Sequence, residues 1–130
     1  MRISLLASRF AIAVAYLLLV TGVVSAGEKK LMHCFYFTAI ETATDADWQA
    51  FFKATDELPG KIPGLSRVWY GKLARPMNVG NQVRQWGVCM EFADQAALDA
   101  YAANPAHAAW SAAYSKVRVP GTTTVNFMGK

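Results

Sequence analysis

The stretch Leu31–Thr38 reads LMHCFYFT, and it constrains the fold more than any other part of the chain. Its density of aromatic residues marks a strand. Side chains alternate along a strand, so Leu31, His33, Phe35 and Phe37 share one face, and Met32, Cys34, Tyr36 and Thr38 share the other. Both faces are mostly apolar. Val83–Phe92 repeats the pattern, with Trp86, Val88 and Met90 on one side and Cys89 on the other. A sheet packed on one face only carries polar residues at alternate positions. These strands therefore ask for cover on both faces. A chain of 130 residues predicts one domain. Its helices can cover one face, and the sheet of an identical subunit is the simplest cover for the other.

The rest of the pattern supplies those helices. Thr44 followed by Asp47 resembles a capping box, and Trp48, Phe51, Phe52 and Thr55 recur at helical spacing. This predicts a helix ending near Glu57, broken by Pro59-Gly60, with a turn at Ile62-Pro63-Gly64. Leu65–Lys72 reads as the second strand. Ala74–Gln82, containing Pro76, Asn78, Gly80 and Asn81, reads as a loop. Asp94 caps a helix that turns Leu98 and Tyr101 inward. Asn104-Pro105 interrupts it, because a residue before proline avoids helical geometry and proline suits a first turn. A last helix covers about 106–117, and Thr122–Met128 is the fourth strand. The order is β-α-β-β-α-β, the ferredoxin-like α+β pattern: an antiparallel sheet, spatial order 4-1-3-2, with helices on one face.

Residues 1–26 read separately. Arg2 and Arg9 form a charged start, Phe10–Val20 is an apolar run, and Val24-Ser25-Ala26 offers small residues for a signal peptidase. These are the parts of a secretory signal, with cleavage expected after Ala26. A retained anchor is the alternative, since the uncharged stretch Phe10–Ala26 sits at the short limit for a span. Either way the domain, residues 27–130, is expected in the periplasm or outside, without stable membrane contact once the leader is gone. Residues 27–130 hold 11 basic groups, two fewer than the 13 of the whole chain, against 9 acidic ones. That near balance argues against a nucleic-acid partner.

Several short runs then fit together: Leu31-Met32-His33, Ile62-Pro63-Gly64-Leu65, Tyr70-Gly71-Lys72, Glu91-Phe92 and the Tyr-x-x-x-Pro-x-His run from Tyr101 to His107. With the order of elements, they resemble the stress-responsive A/B barrel family, called Dabb, over about Lys29 to Met128. The resemblance implies a dimeric α+β barrel in which two sheets face each other. One plant member closes a polyketide ring by aldol condensation. Its catalytic Tyr and His match Tyr101 and His107, and its first-strand His matches His33. Its third-strand His falls at Trp86, and the family's usual acidic residue in the last strand falls at Asn126.

On an unbroken helix, residues six apart diverge by ~120°. Tyr101 and His107 can converge only because Asn104-Pro105 re-aims the chain. His107 then shares a face with Trp110 and Tyr114. The expectation is a pocket between sheet and helices. His107 would be a general base and Tyr101 a hydrogen-bond donor to an enolate oxygen. The ligand would be bound by His33, Phe35, Trp86, Leu98, Trp110 and Tyr114. The plainer alternative is packing, with His107 satisfying backbone groups and Tyr101 a core aromatic. His33 is either a pocket group or a strand histidine bonded to the neighbouring chain.

No cofactor is expected. Two His and two Cys with no ligand spacing argue against a metal site. Cys34 and Cys89 lie on neighbouring strands. Export allows a disulfide, but directly paired strands hold Cβ atoms awkwardly for one, so two buried thiols are expected. Lys53, Lys61, Arg67, Lys72, Arg75 and Arg84 read as a solvated surface, with Arg75 and Arg84 flanking a loop. Trp69 and Tyr70 face opposite ways, so one of them lines the dimer interface. Three functions follow: a stress-related dimer binding a small hydrophobic or aromatic ligand, a cyclase or isomerase, and a cofactor-free monooxygenase of the antibiotic-biosynthesis type.

Overall fold

The computed structural model describes residues 29–130; the expected leader lies outside them. The elements run β1 (Leu31–Phe37), α1 (Asp45–Lys61), β2 (Leu65–Val79), β3 (Gln82–Phe92), α2 (Gln95–Tyr101), α3 (Pro105–Tyr114) and β4 (Thr123–Met128). The sheet is antiparallel, in the order β2-β3-β1-β4. This is the expected ferredoxin-like α+β architecture. Among the described residues, no helix is long and apolar enough to cross a membrane.

Local chemistry explains the helix starts. Thr44 caps α1 in a complete capping box: its hydroxyl accepts from Asp47 N–H (3.2 Å), and the Asp47 carboxylate accepts from Thr44 N–H (3.0 Å). Two otherwise orphaned backbone donors are thereby satisfied. Asp94 caps α2, accepting from Ala97 N–H (2.8 Å). Asn104 caps α3, accepting from Ala106 N–H (2.9 Å), with Pro105 in the first turn.

The helices cover the face of the sheet that carries Leu31, Phe35 and Phe37. These residues pack with Phe51, Leu58, Val88, Met90, Phe92, Trp110 and Tyr114. One polar contact lies inside this layer. Thr55, fully buried, donates to Phe51 O (2.7 Å) and accepts from Trp110 Nε1–H (2.9 Å), tying α1 to α3. Thr55→Val keeps the volume but strands the indole donor, a loss of about 1–3 kcal/mol. The urea midpoint is expected to fall accordingly, with an unchanged dependence on denaturant.

The structure corrects four expectations. Helix α1 does not end near Glu57 but continues through Pro59. The proline falls in the last turn, where it removes one ladder bond, and Ile62 N–H to Leu58 O (2.9 Å) closes the helix beyond it. The expected loop at 74–82 is mostly strand: β2 runs to Val79 and turns back at Gly80-Asn81. Gly80 has φ +60°, the geometry of a two-residue hairpin turn. Pro76 lies where the ladder is interrupted between Lys72 and Met77, on an edge strand that needs no N–H there. Arg84 is not solvated but 5% exposed, beneath the turn before β4. Finally, Cys34 and Cys89 are not free thiols but a disulfide. They are directly opposed partners of β1 and β3, with Cα atoms 4.1 Å apart, the narrow type of antiparallel pair in which side chains meet most closely.

Candidate functional site

The break between α2 and α3 does what a continuous helix could not. Three residues, Ala102 to Asn104, separate the helices, and Asn104 N–H bonds back to Tyr101 O (3.1 Å). The Tyr101 and His107 rings then lie 4.4 Å apart, edge to face. His33 joins from β1, its ring 6.2 Å from Tyr101. Two imidazoles and a phenol from three elements therefore form one cluster over the sheet.

Each ring is held differently. His33 Nδ1–H donates to Asn126 Oδ1 (2.7 Å), its direct partner on β4. This bond lies within the chain rather than reaching a neighbouring one, and it coexists with membership of the cluster. Tyr101 is 5% exposed, and its hydroxyl is buried without a hydrogen-bond partner among the described residues. Burial, reinforced by Tyr114, holds its ionisation well above the ordinary phenol range, so it stays a neutral donor. His107 is half-buried. That burial lowers its basicity below the ordinary imidazole range; a backbone bond to Ala102 opposes the shift, and His33 adds to it. At neutral pH His107 therefore carries a lone pair.

The other expected residues divide into two groups. Phe35, Trp110 and Tyr114 continue the cluster. Phe35 lies 5.5 Å from His33 and 5.8 Å from Trp110, and Trp110 lies 5.7 Å from His107 and 4.9 Å from Tyr114. Leu98 is partly buried against the core on α2. Trp86 lies elsewhere. It pairs with Phe37, four residues along β1 from His33, and stacks on Trp48 at 4.5 Å. Phe92, not among the expected site residues, meets both Tyr101 (5.2 Å) and His33 (6.4 Å). Its place on strand three, on the face of Trp86, Val88 and Met90, was a signal available for finding it.

Hollows are found on the opposite face of the sheet. One of about 220 Å³ is floored by Gly71 and Gly87 and walled by Tyr36, Trp69 and Leu73, beside the disulfide. On this face Trp69 is 77% and Phe127 54% exposed. Glu91 lines two further hollows and accepts from Ser66 (2.7 Å), Lys30 (3.1 Å) and Arg67 (3.2 Å). Expected between sheet and helices, a hollow lies instead across the sheet. Among the described residues, no three His, Cys, Asp or Glu side chains converge as metal ligands.

Comparison with known proteins adds a frame. The family profile described as the stress responsive A/B barrel domain matches residues 31–127. No curated protein matches the chain. Among solved structures, a Dabb family protein with a ferredoxin-like fold from Mesorhizobium loti is 20% identical, with a TM-score of 0.60 over 76% of this chain and 95% of that one. A dimeric ferredoxin-like protein from Thermobifida fusca is 22% identical, with a TM-score of 0.59 over 77% and 91%. A hydroxynitrile lyase from Passiflora edulis is 8% identical, with a TM-score of 0.64 over 79% and 95%. At these identities the likeness is one of fold.

Proposed function

The chain belongs to the stress-responsive A/B barrel family, and from that premise we propose an exported, stress-related homodimer. Each subunit binds a small neutral aromatic or hydrophobic molecule at His33, Tyr101 and His107. The buried Tyr101 hydroxyl carries this reading. A buried polar group without a partner costs about 1–3 kcal/mol, and a ligand oxygen would satisfy it. His107 offers an acceptor beside it, and Phe35 and Trp110 offer apolar walls. Among the described residues, no charged side chain hydrogen-bonds within the cluster, which favours an uncharged ligand.

The dimer is supported by the apolar second face, with Trp69, Val125 and Phe127 uncovered, and by the dimeric description of several fold neighbours. Export is supported by the leader composition and by the disulfide, which suits an oxidising compartment. A second reading is turnover. A neutral imidazole beside an unpartnered phenol can take a proton from activated carbon while the phenol stabilises the enolate oxygen, as in a cyclase or isomerase. Both readings use the same residues.

Calorimetric titration with 4-hydroxybenzaldehyde, a small neutral aromatic carbonyl, tests the site. Tyr101→Phe and His107→Ala are each expected to weaken binding about tenfold or more, the worth of one hydrogen bond of about 1.4 kcal/mol. Unchanged affinity in both variants would reduce these residues to packing.

A further inference from the structure

A second polar cluster lies on the same face of the sheet, away from His33. Arg84 stands six residues along β3 from Met90, the partner of His33, a separation of roughly 20 Å. A guanidinium this deeply buried ordinarily meets a carboxylate. Here every partner is neutral. Nη1 donates to Thr38 Oγ1 (3.0 Å) and to Gln82 Oε1, and Nε donates to Thr123 Oγ1 (3.4 Å). Nη2 has no hydrogen bond among the described residues. It lies against Gly121, where an added Cβ would stand 3.6 Å from it.

A second guanidinium stands nearby. Arg118 lies over the Tyr114 ring, 4.7 Å from its centroid, and its Nε is buried without a partner. The Tyr114 hydroxyl is 3.2 Å from Thr122 Oγ1. Thr122 lies between the Gly121 and Thr123 that Arg84 touches, so both guanidiniums stand at this turn, one directly and one through Tyr114. Burial raises the ionisation of the Tyr114 phenol, while the Thr122 bond and the charges of Arg118 and Arg84 pull it down. Among the described residues, ion pairs within 4.0 Å involve Lys30, Lys61 and Arg67 and neither of these arginines.

We propose that Arg84 and Arg118, with the turn 120–123, form an oxyanion-binding site that takes the carboxylate or phosphate head group of a small molecule. The unpaired Nη2 of one arginine and the unpaired Nε of the other supply one charged donor each, of the kind that forms strong hydrogen bonds to such groups. Gly121, at φ +98°, leaves the approach free of a side chain. Arg84 is anchored from behind by three neutral acceptors, so its positive charge remains for the ligand. This site is independent of the one at Tyr101.

The test is thermal unfolding of the full chain at pH 7 and constant ionic strength, with chloride replaced stepwise by phosphate or by acetate. Phosphate also stabilises proteins by exclusion from their surfaces, so the readout is the difference between wild type and Arg118→Gln. Wild type is expected to show a saturable rise in midpoint, and Arg118→Gln to weaken the apparent affinity at least tenfold. The arm that saturates at lower concentration identifies the head group as phosphate or carboxylate. Arg84→Gln is expected to act likewise. If it fails to fold, chemical shifts of the Arg84 side-chain Nε–H in wild type replace it, moving on anion addition. No saturable response in wild type, or the same response in Arg118→Gln, overturns the proposal.

Discussion

Trp69→Asp is expected to yield a folded monomer from a dimeric parent. Trp69 is 77% exposed on β2, on the face away from the helices, beside a hollow floored by two glycines. So large an uncovered indole on an apolar face is the type of residue that dominates subunit contacts, at about 2 kcal/mol or more each. Aspartate removes that contact and brings a charge into a surface that excludes water on association. Because the side chain makes little contact within its own subunit, the fold survives. Light scattering at micromolar concentration should report half the parent mass, with unchanged far-ultraviolet circular dichroism. A variant that remains dimeric would place the interface elsewhere.

Loss of the disulfide is expected to have the largest effect on stability. Cys34 and Cys89 are separated by 55 residues, so their bond removes much of the unfolded chain's freedom. On the chain-entropy account this contributes about 4 kcal/mol. A domain of this size has only about 5–15 kcal/mol in total. The double variant Cys34→Ala, Cys89→Ala should therefore melt roughly 15 °C or more below the parent. Scanning calorimetry measures this directly, and a difference of only one or two degrees would contradict it. The bond joins the two central strands β1 and β3 on the face assigned to the partner subunit. Its loss should loosen the dimer as well.

Local signals carried most of the fold. The caps at Thr44 and Asp94 stand where the sequence places them, because a short polar side chain before an apolar-periodic run has few other uses, and the helix breaks at Asn104-Pro105 as expected. Strand order follows from the alternation of elements. The misjudged features depend on register or distant partners. Pro76 and Asn78 each argue against a strand, yet their segment lies on an edge where those objections lapse. The disulfide needed the pairing of residue 34 with residue 89, which composition does not encode. Arg84 reads as surface until β4 and its preceding turn are folded over it.

The candidate site was legible to a similar degree. Asn104-Pro105 forecast the meeting of Tyr101 and His107, and strand alternation placed His33 on their side. Trp86 shares that face but lies too far along the strand, with Trp48. Face is readable from period two, whereas distance along the strand depends on where the helices cross it. The unpartnered state of the Tyr101 hydroxyl, on which the functional reading rests, emerges only from packing.

The most direct test is a nuclear magnetic resonance titration with 4-hydroxybenzaldehyde, observing the imidazole rings and the tryptophan indole N–H groups together. The chain contains only two histidines, His33 and His107, and both belong to the cluster. Their ring signals should move together and saturate, while the indole of Trp69, across the sheet, stays in place. Stationary histidines with a moving Trp69 signal would put the ligand in the opposite hollow and contradict the account.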